Sequence, residues 1–154
     1  MDFGFCDTII GRIGVVGKED FISKVLFDFE IPNVEQHKSP VVSEAIDQLL
    51  AYFDKRLTTF SIPLLFNGTD FMKKVWNALL DIPYGKTVSY KDIACAIGDS
   101  KACRAVGMAN RSNNLPIFIP CHRVIKSDGS LGGFAGKVDK KQRLIALEKE
   151  NFCS

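Results

Sequence analysis

The chain has 154 residues, 46% of them hydrophobic and 25% charged, enough for one or two small domains with a sizeable core. No apolar run approaches the roughly 20 residues a membrane-crossing helix needs, which argues against a membrane protein. The net charge of +2 hides an asymmetry. Residues 1–68 carry 6 Lys+Arg against 10 Asp+Glu, and residues 69–154 carry 14 against 8. A second part at +6 suits a polyanionic partner, with lysines on an ordinary solvated face as the alternative. The five cysteines, Cys6, Cys95, Cys103, Cys121 and Cys153, are scattered and form no CxxC pair, so neither a disulfide framework nor a zinc motif is expected. Met1-Asp2-Phe3-Gly4 lacks the pattern of a secretory leader, and the expected setting is cytoplasmic and reducing.

The first strand is expected over Thr8–Val16, with Gly17-Lys18 as the following turn. Val25, Phe27 and Phe29 alternate with Leu26, Asp28 and Glu30, and Phe60, Ile62 and Leu64 alternate likewise, predicting two further half-buried strands. Between them Ser39 and Pro40 open a helix whose apolar face is Val42, Ala45, Ile46, Leu49, Leu50 and Phe53. Asn67-Gly68 breaks the chain. The expected class is therefore α+β: a small N-terminal antiparallel sheet with a helix, residues 1–67, followed by a mostly helical domain, residues 68–154.

In that second domain Thr69 caps a helix to about Leu80, with Phe71, Val75, Ala78 and Leu79 inward. Ser89 and Asp92 form a capping box for the next helix, which buries Tyr90, Ile93, Ala94 and Ile97 and ends at Gly98. Ser100 is expected to cap another, with Ala102, Ala105, Val106 and Ala109 inward and Lys101, Arg104, Met108 and Arg111 outward. Two capped helices joined by a short turn predict a helix-turn-helix. Asp128-Gly-Ser-Leu-Gly-Gly-Phe-Ala-Gly136 reads as a loop where backbone can approach a ligand. A last helix begins near Val138 and places Glu148 on the face of Leu144 and Ile145.

The chemistry is expected in Pro116-Ile-Phe-Ile-Pro-Cys-His-Arg-Val-Ile125. This is an apolar run ending in a cysteine beside one of only two histidines. Cys121 is either a buried small hydrophobe or a nucleophile that His122 and Arg123 help to ionise, since a free thiol titrates near 8.5. Neighbours on a strand face opposite ways, so Cys121 and His122 meet only if the chain bends there. An inward Glu148 wants a partner, and His122 is the obvious one. Two other functions stay open on the residues alone: a cysteine hydrolase, and a non-enzymatic helix-turn-helix regulator.

Pro120-Cys-His-Arg-Val124 resembles the signature of the methylated-DNA–protein-cysteine methyltransferases, which repair guanine alkylated on its sixth-position oxygen. Ile82-Pro-Tyr-Gly85, Val88-Ser-Tyr90, Arg104-Ala-Val-Gly107, Gly132-Gly-Phe-Ala-Gly136 and the distance to Glu148 are similar to that family's other marks. The resemblance covers most of residues 66–150. It implies that Cys121 accepts the alkyl group once and irreversibly, that His122 acts on the thiol through a water, and that Glu148 orients His122. Asn113 would brace the turn holding the cysteine. Tyr90 would sit by the target nucleotide and, with Val124, Phe134 and Ala135, form the base pocket. Arg104 would fill the stack where the flipped base had been. Lys101, Ala102, Ala105, Gly107 and Arg111 would meet the minor groove of double-stranded DNA. No cofactor, no metal and a monomer are implied; Cys6 and His37 are too few for the zinc that some members carry. The chain departs from the family at Asn113-Asn114, which lacks the usual proline, and at Lys137, where a second glycine is common. A sister group with tryptophan at the cysteine position binds DNA without transferring alkyl groups, and Cys121 argues against membership of it.

Overall fold

The computed structural model describes residues 1–134 and 136–152. The fold is α+β and falls into two compact units, residues 1–66 and a second unit from Asn67 onward.

The first unit is a three-stranded antiparallel sheet in the order β1 (Phe3–Thr8), β2 (Gly11–Lys18), β3 (Phe21–Phe27), carrying helix α1 (Pro40–Phe53). The register runs from Phe3 opposite Val16 to Thr8 opposite Gly11. The stretch from Thr8 to Val16 is thus two strands and a turn, not one strand. Gly11, at φ 100°, makes the tight corner, and the Thr8 hydroxyl donates to its carbonyl at 2.8 Å. Gly17 and Lys18 belong to β2, and the turn falls at Glu19-Asp20.

The alternation expected beyond Val25 fails as well. Val25, Leu26 and Phe27 are all buried, and the chain then tightens into a 3-10 turn that leaves Phe29 exposed. The Phe27 amide donates to the Glu30 carboxylate at 3.0 Å and closes that turn. Phe60–Leu64 is not a strand. Leu64 makes a single parallel bridge to Ile22, flanked by bonds from Ile22 N–H to the Pro63 carbonyl and from Leu65 N–H to the Ile22 carbonyl. Pro63 has no N–H to extend that ladder.

Helix α1 begins as its sequence dictates. Pro40 stands in the first turn, the Ser39 hydroxyl accepts from Val42 N–H, and the Asp2 carboxylate accepts from both the amide and the hydroxyl of Ser39. Its buried face is Val42, Ala45, Ile46, Leu49 and Tyr52, and Leu50 is exposed. The three-and-four spacing from Leu49 lands on Tyr52, whose ring packs edge-on to Phe53 with centroids 5.1 Å apart.

The second unit holds α2 (Asp70–Leu80), β4 (Val88–Ser89), α3 (Tyr90–Ala96), α4 (Cys103–Arg111), β5 (Val124–Ile125) and α5 (Val138–Phe152). Thr69 caps α2, and Ser89 with Asp92 forms the capping box of α3. Gly98, at φ 82°, ends that helix. α3 and α4 make the helix-turn-helix, with α2 packed on both.

Ser100 does not cap α4. Asp99 takes the turn first, accepting from the amides of Lys101 and Ala102, and α4 starts only at Cys103. Its inward stripe is Val106, Ala109 and Asn110; Ala105 is exposed and Ala102 half-buried. Trp76, absent from the expected face of α2, is buried and donates to the Ala109 carbonyl at 2.9 Å, which fixes α4 on α2. No helix among the described residues is long and apolar enough to cross a membrane.

Candidate active site

Residues 115–123 form a folded turn system in place of a strand. Ile119 N–H bonds the Leu115 carbonyl at 2.9 Å, and between them Ile117 is held at φ 76°, a strained value for a β-branched residue. Pro120, at φ −78° and ψ 63°, centres an inverse γ-turn in which Cys121 N–H donates to the Ile119 carbonyl at 2.7 Å. A 3-10 turn, Cys121–Arg123, follows. The chain thus bends at Cys121 and His122 instead of running on as a strand. Val124 and Ile125 then pair with Val88 and Ser89 as a short parallel ladder, which ties the turn to the start of α3.

Asn113 braces the system from both ends. Its Nδ2 donates to the Ile119 carbonyl at 2.9 Å and its Oδ1 accepts from Leu115 N–H at 2.8 Å. Asn110, which the sequence did not single out, donates to the Cys121 carbonyl at 3.3 Å. Cys121 itself is buried. Burial pushes its thiol up to about 11, against downward pulls from Asn113, Lys141 and nearby backbone amides. Near neutral pH the sulfur therefore keeps its proton.

His122 is fully buried, its Nε2 lies 2.6 Å from Glu148 Oε2, and its Nδ1 has no hydrogen-bond partner among the described residues. Burial lowers the His122 pKa, so the imidazole is neutral near pH 7. Glu148 is also buried. Burial raises its pKa, but the hydrogen bonds from His122 and Arg123 and the Arg123 charge outweigh that and hold its carboxyl below the usual carboxylate range. A neutral ring against a carboxylate must put its proton on Nε2, which leaves Nδ1 as a free base. Arg123 gives Glu148 a bidentate pair at 2.8 and 3.1 Å, and a further nitrogen donates to the Ile82 carbonyl at 2.8 Å.

The Ile82–Gly85 motif acquires its reason here. Gly85 N–H also donates to Glu148, at 3.1 Å. Gly85 sits at φ 80°, and a Cβ there would stand 2.8 Å from the Cβ of Phe152 on α5. Any side chain would push the end of that helix, and Glu148 with it, out of place. Lys137, where the family tends to glycine, has φ 80°, the left-handed conformation that favours glycine.

A cavity of about 350 Å³ lies between the helix-turn-helix and the glycine-rich loop, lined by Tyr90, Arg104, Gly107, Arg111, Gly132 and Gly133 among others. Of the residues expected to bind a base, Tyr90 lines it, Val124 is buried in the β4–β5 ladder and Phe134 is half-buried on the loop. Ala135 lies outside the described residues. Of the expected DNA contacts, Lys101, Arg104, Ala105 and Arg111 are exposed, and Ala102 and Gly107 are half-buried. Lys141 was missed. It is fully buried, and its Nζ donates to the Gly133 carbonyl at 3.2 Å. A lysine amid Lys140, Gln142 and Arg143 gives no sign in sequence of facing inward.

Residues 1–66 match the family profile described as the ribonuclease-like domain of 6-O-methylguanine DNA methyltransferase, and residues 70–150 match the DNA binding domain of the same family. The chain belongs to this family. It is 43% identical to the constitutive methylated-DNA–protein-cysteine methyltransferase of Bacillus subtilis, over 95% of this chain and 94% of that protein. It is 44% identical to the methyltransferase of Methanosarcina barkeri, over 99% of each. Among solved structures it is similar to the Mycobacterium tuberculosis protein described as OGT in complex with DNA, with a TM-score of 0.88 at 40% identity over 98% of this chain and 94% of that one. The activity is direct DNA repair, in which an alkyl group moves from the sixth-position oxygen of guanine to a cysteine of the methyltransferase itself.

Proposed function

We propose that Cys121 is the alkyl acceptor and that Cys121, His122 and Glu148 form its proton-transfer chain. The observation that carries this is the unpartnered Nδ1 of a buried, neutral His122 whose other nitrogen is fixed by Glu148. In the reaction the thiol proton passes to His122 Nδ1, through a water where one is needed. The thiolate attacks the alkyl carbon in line; the S–C bond forms and the C–O bond breaks. The electron pair of that bond returns to the guanine, which takes up a proton as it leaves. Glu148 stabilises the imidazolium that forms in between.

The substrate reading is double-stranded DNA containing alkylated guanine. Support comes from the +6 charge of residues 69–154, the outward Arg104 and Arg111, and the DNA complex of the M. tuberculosis relative. A base must leave the duplex to reach a buried thiol, at a cost of a few kcal/mol. A protein that carries its reaction on a free thiol works best in a reducing, intracellular setting, as a monomer.

The thioether is not readily hydrolysed, and among the described residues no second group is placed to regenerate Cys121. Incubation with a methylguanine duplex should therefore add one methyl, confined to Cys121 by peptide mapping, and product should plateau at one equivalent per active protein. Continued turnover beyond that plateau would point to a hydrolase. An unmodified Cys121 in a protein that still binds DNA would point to a regulator.

Arg104 tests the base-flipping part. Arg104→Ala should slow repair in a duplex by about tenfold or more while leaving the reaction with free alkylguanine base nearly unchanged, since an exposed side chain on α4 can fill the stack and takes no part in the proton-transfer chain. Equal losses on both substrates would make Arg104 structural.

A further inference from the structure

Three cations line the cavity between the helix-turn-helix and the glycine-rich loop: Arg104 and Arg111 from α4, and Lys126 from the turn that follows β5. Lys126 was not among the expected DNA contacts. Among the described residues that line the cavity none is acidic. Guanine alkylated on its oxygen is neutral, so a base held there gives Lys126 nothing to neutralise. The nucleotide that carries the base brings a charged phosphate on either side. Lys126 makes no ion pair among the described residues. The carboxylate that feels its charge, Asp128, is engaged by Ser130, whose amide and hydroxyl donate to it at 2.9 and 2.7 Å.

The backbone fixes where Lys126 stands. Val88 and Ser89 pair with Val124 and Ile125, so the next residues, Tyr90 and Lys126, leave the ladder together, and both line the cavity. Just beyond, Lys126 N–H donates to the Ser130 carbonyl and its own carbonyl accepts from Gly129 N–H, each at 2.9 Å. Gly129, at φ 90°, takes the corner of that turn. Lys126 therefore has a side chain exposed to solvent and a main chain held from both sides. That suits a phosphate better than a base edge. An ammonium is a compact charge with donors and no acceptor, and it lacks the planar fork that reads bases.

We propose that Lys126 binds a DNA phosphate next to the extruded alkylguanine. The site rests on the reading of alkylated duplex DNA as the substrate, and adds a backbone contact to it. Arg104 replaces the base in the stack, Tyr90 walls the cavity, and Lys126 holds the backbone that turns out with the base. The contact forms only with the base extruded. That separates it from the general attraction of a segment at +6, residues 69–154, for any polyanion.

The test is duplex affinity by fluorescence anisotropy, in a Cys121→Ser background that blocks transfer, with Lys126 intact or changed to Gln or Arg. The duplexes carry methylguanine or plain guanine at one position, and a neutral methylphosphonate in place of one flanking phosphate or the other. Lys126→Gln should weaken binding to the methylguanine duplex by about three- to tenfold and to the plain duplex by less than about twofold. The slope of log affinity against log salt on the methylguanine duplex should fall by about 0.9, the share of one phosphate. One of the two methylphosphonates should weaken binding by a similar factor when Lys126 is intact, and by much less in Lys126→Gln. Lys126→Arg keeps the charge and should keep that sensitivity. Equal losses on both duplexes would reduce Lys126 to part of a general positive surface and overturn the site. So would methylphosphonate effects that are the same with Lys126 and with glutamine at both positions. If Lys126 and one phosphate depend on each other as expected, but the wild-type protein takes no methyl from the methylguanine duplex, the phosphate site stands and the alkyl-transfer reading fails.

Discussion

Replacing Glu148 with glutamine should slow methyl transfer by on the order of 10- to 1000-fold and destabilise the second unit by about 3–5 kcal/mol. The carboxylate accepts from His122 Nε2, two nitrogens of Arg123, and Gly85 N–H. An amide presents one oxygen, and its NH₂ must then confront donors that had been satisfied. Arg123 is left as a buried cation without its anion. The imidazole loses both the bond that keeps its proton on Nε2 and the charge that stabilises imidazolium. Transfer rate on a methylguanine duplex and urea unfolding together read the two effects. Iodoacetamide labelling separates them: the deficit at Cys121 should be large near neutral pH and shrink at high pH, where the thiol ionises unaided. A variant with normal stability and a superimposable labelling profile would remove Glu148 from the site. DNA affinity should change little, because Glu148 is buried.

The same pair sets the acid stability. Glu148 is held at about 2, below its ordinary 4.5, so its contribution is complete above about 4.5 and is lost as pH falls toward 2. The His122 pKa is also depressed, which makes the unfolded chain the better proton binder once pH drops below the ordinary 6.5. Both groups act in one direction, and wild-type stability should decline steadily on acidification from about pH 6.5. In Glu148→Gln the part of that decline below 4.5 should flatten.

Asn113→Ala should cost about 2–4 kcal/mol and slow methyl transfer by about 100-fold or more. Alanine leaves the buried Leu115 N–H without its acceptor and removes one of the two donors to the Ile119 carbonyl. Ile117, held at a strained φ between those two points, would then relax and carry Pro120 and Cys121 with it. A displacement of about 1 Å is enough to spoil an in-line attack. Asn113→Asp keeps the acceptor for Leu115 and loses the donor to Ile119, so it should fall between alanine and wild type. Thermal unfolding and single-turnover rates check this, and an alanine variant with the wild-type rate would reduce Asn113 to a loop residue.

Local chemistry was legible without the fold. Ser39 with Pro40, Thr69, and Ser89 with Asp92 each start a helix where the sequence places it, because a cap is made by groups three residues apart and needs no distant partner. Cys121 beside His122 and the face shared by Leu144 and Glu148 were legible for the same reason. The strand readings fared worse. Phe60–Leu64 alternates as a strand does, yet whether it pairs depended on Pro63 and on what Ile22 offered. Ser100 had the chemistry of a cap, but the turn at Asp99 moved the helix start to Cys103, with Ala102 at the cap position.

The residues themselves determined the helix starts, the α+β class, the charge division and the candidate nucleophile. These depend on side-chain type and on spacings of a few positions. Only the tertiary structure decided which nitrogen of His122 is free, why Gly85 must be glycine, that Trp76 and Asn110 hold α4 and the Cys121 turn, and that Lys141 points inward. Each is a meeting of residues from different elements, 63 positions apart for Gly85 and Glu148. A lysine on a charged helix reads as surface until the fold buries it with the Gly133 carbonyl in front of it.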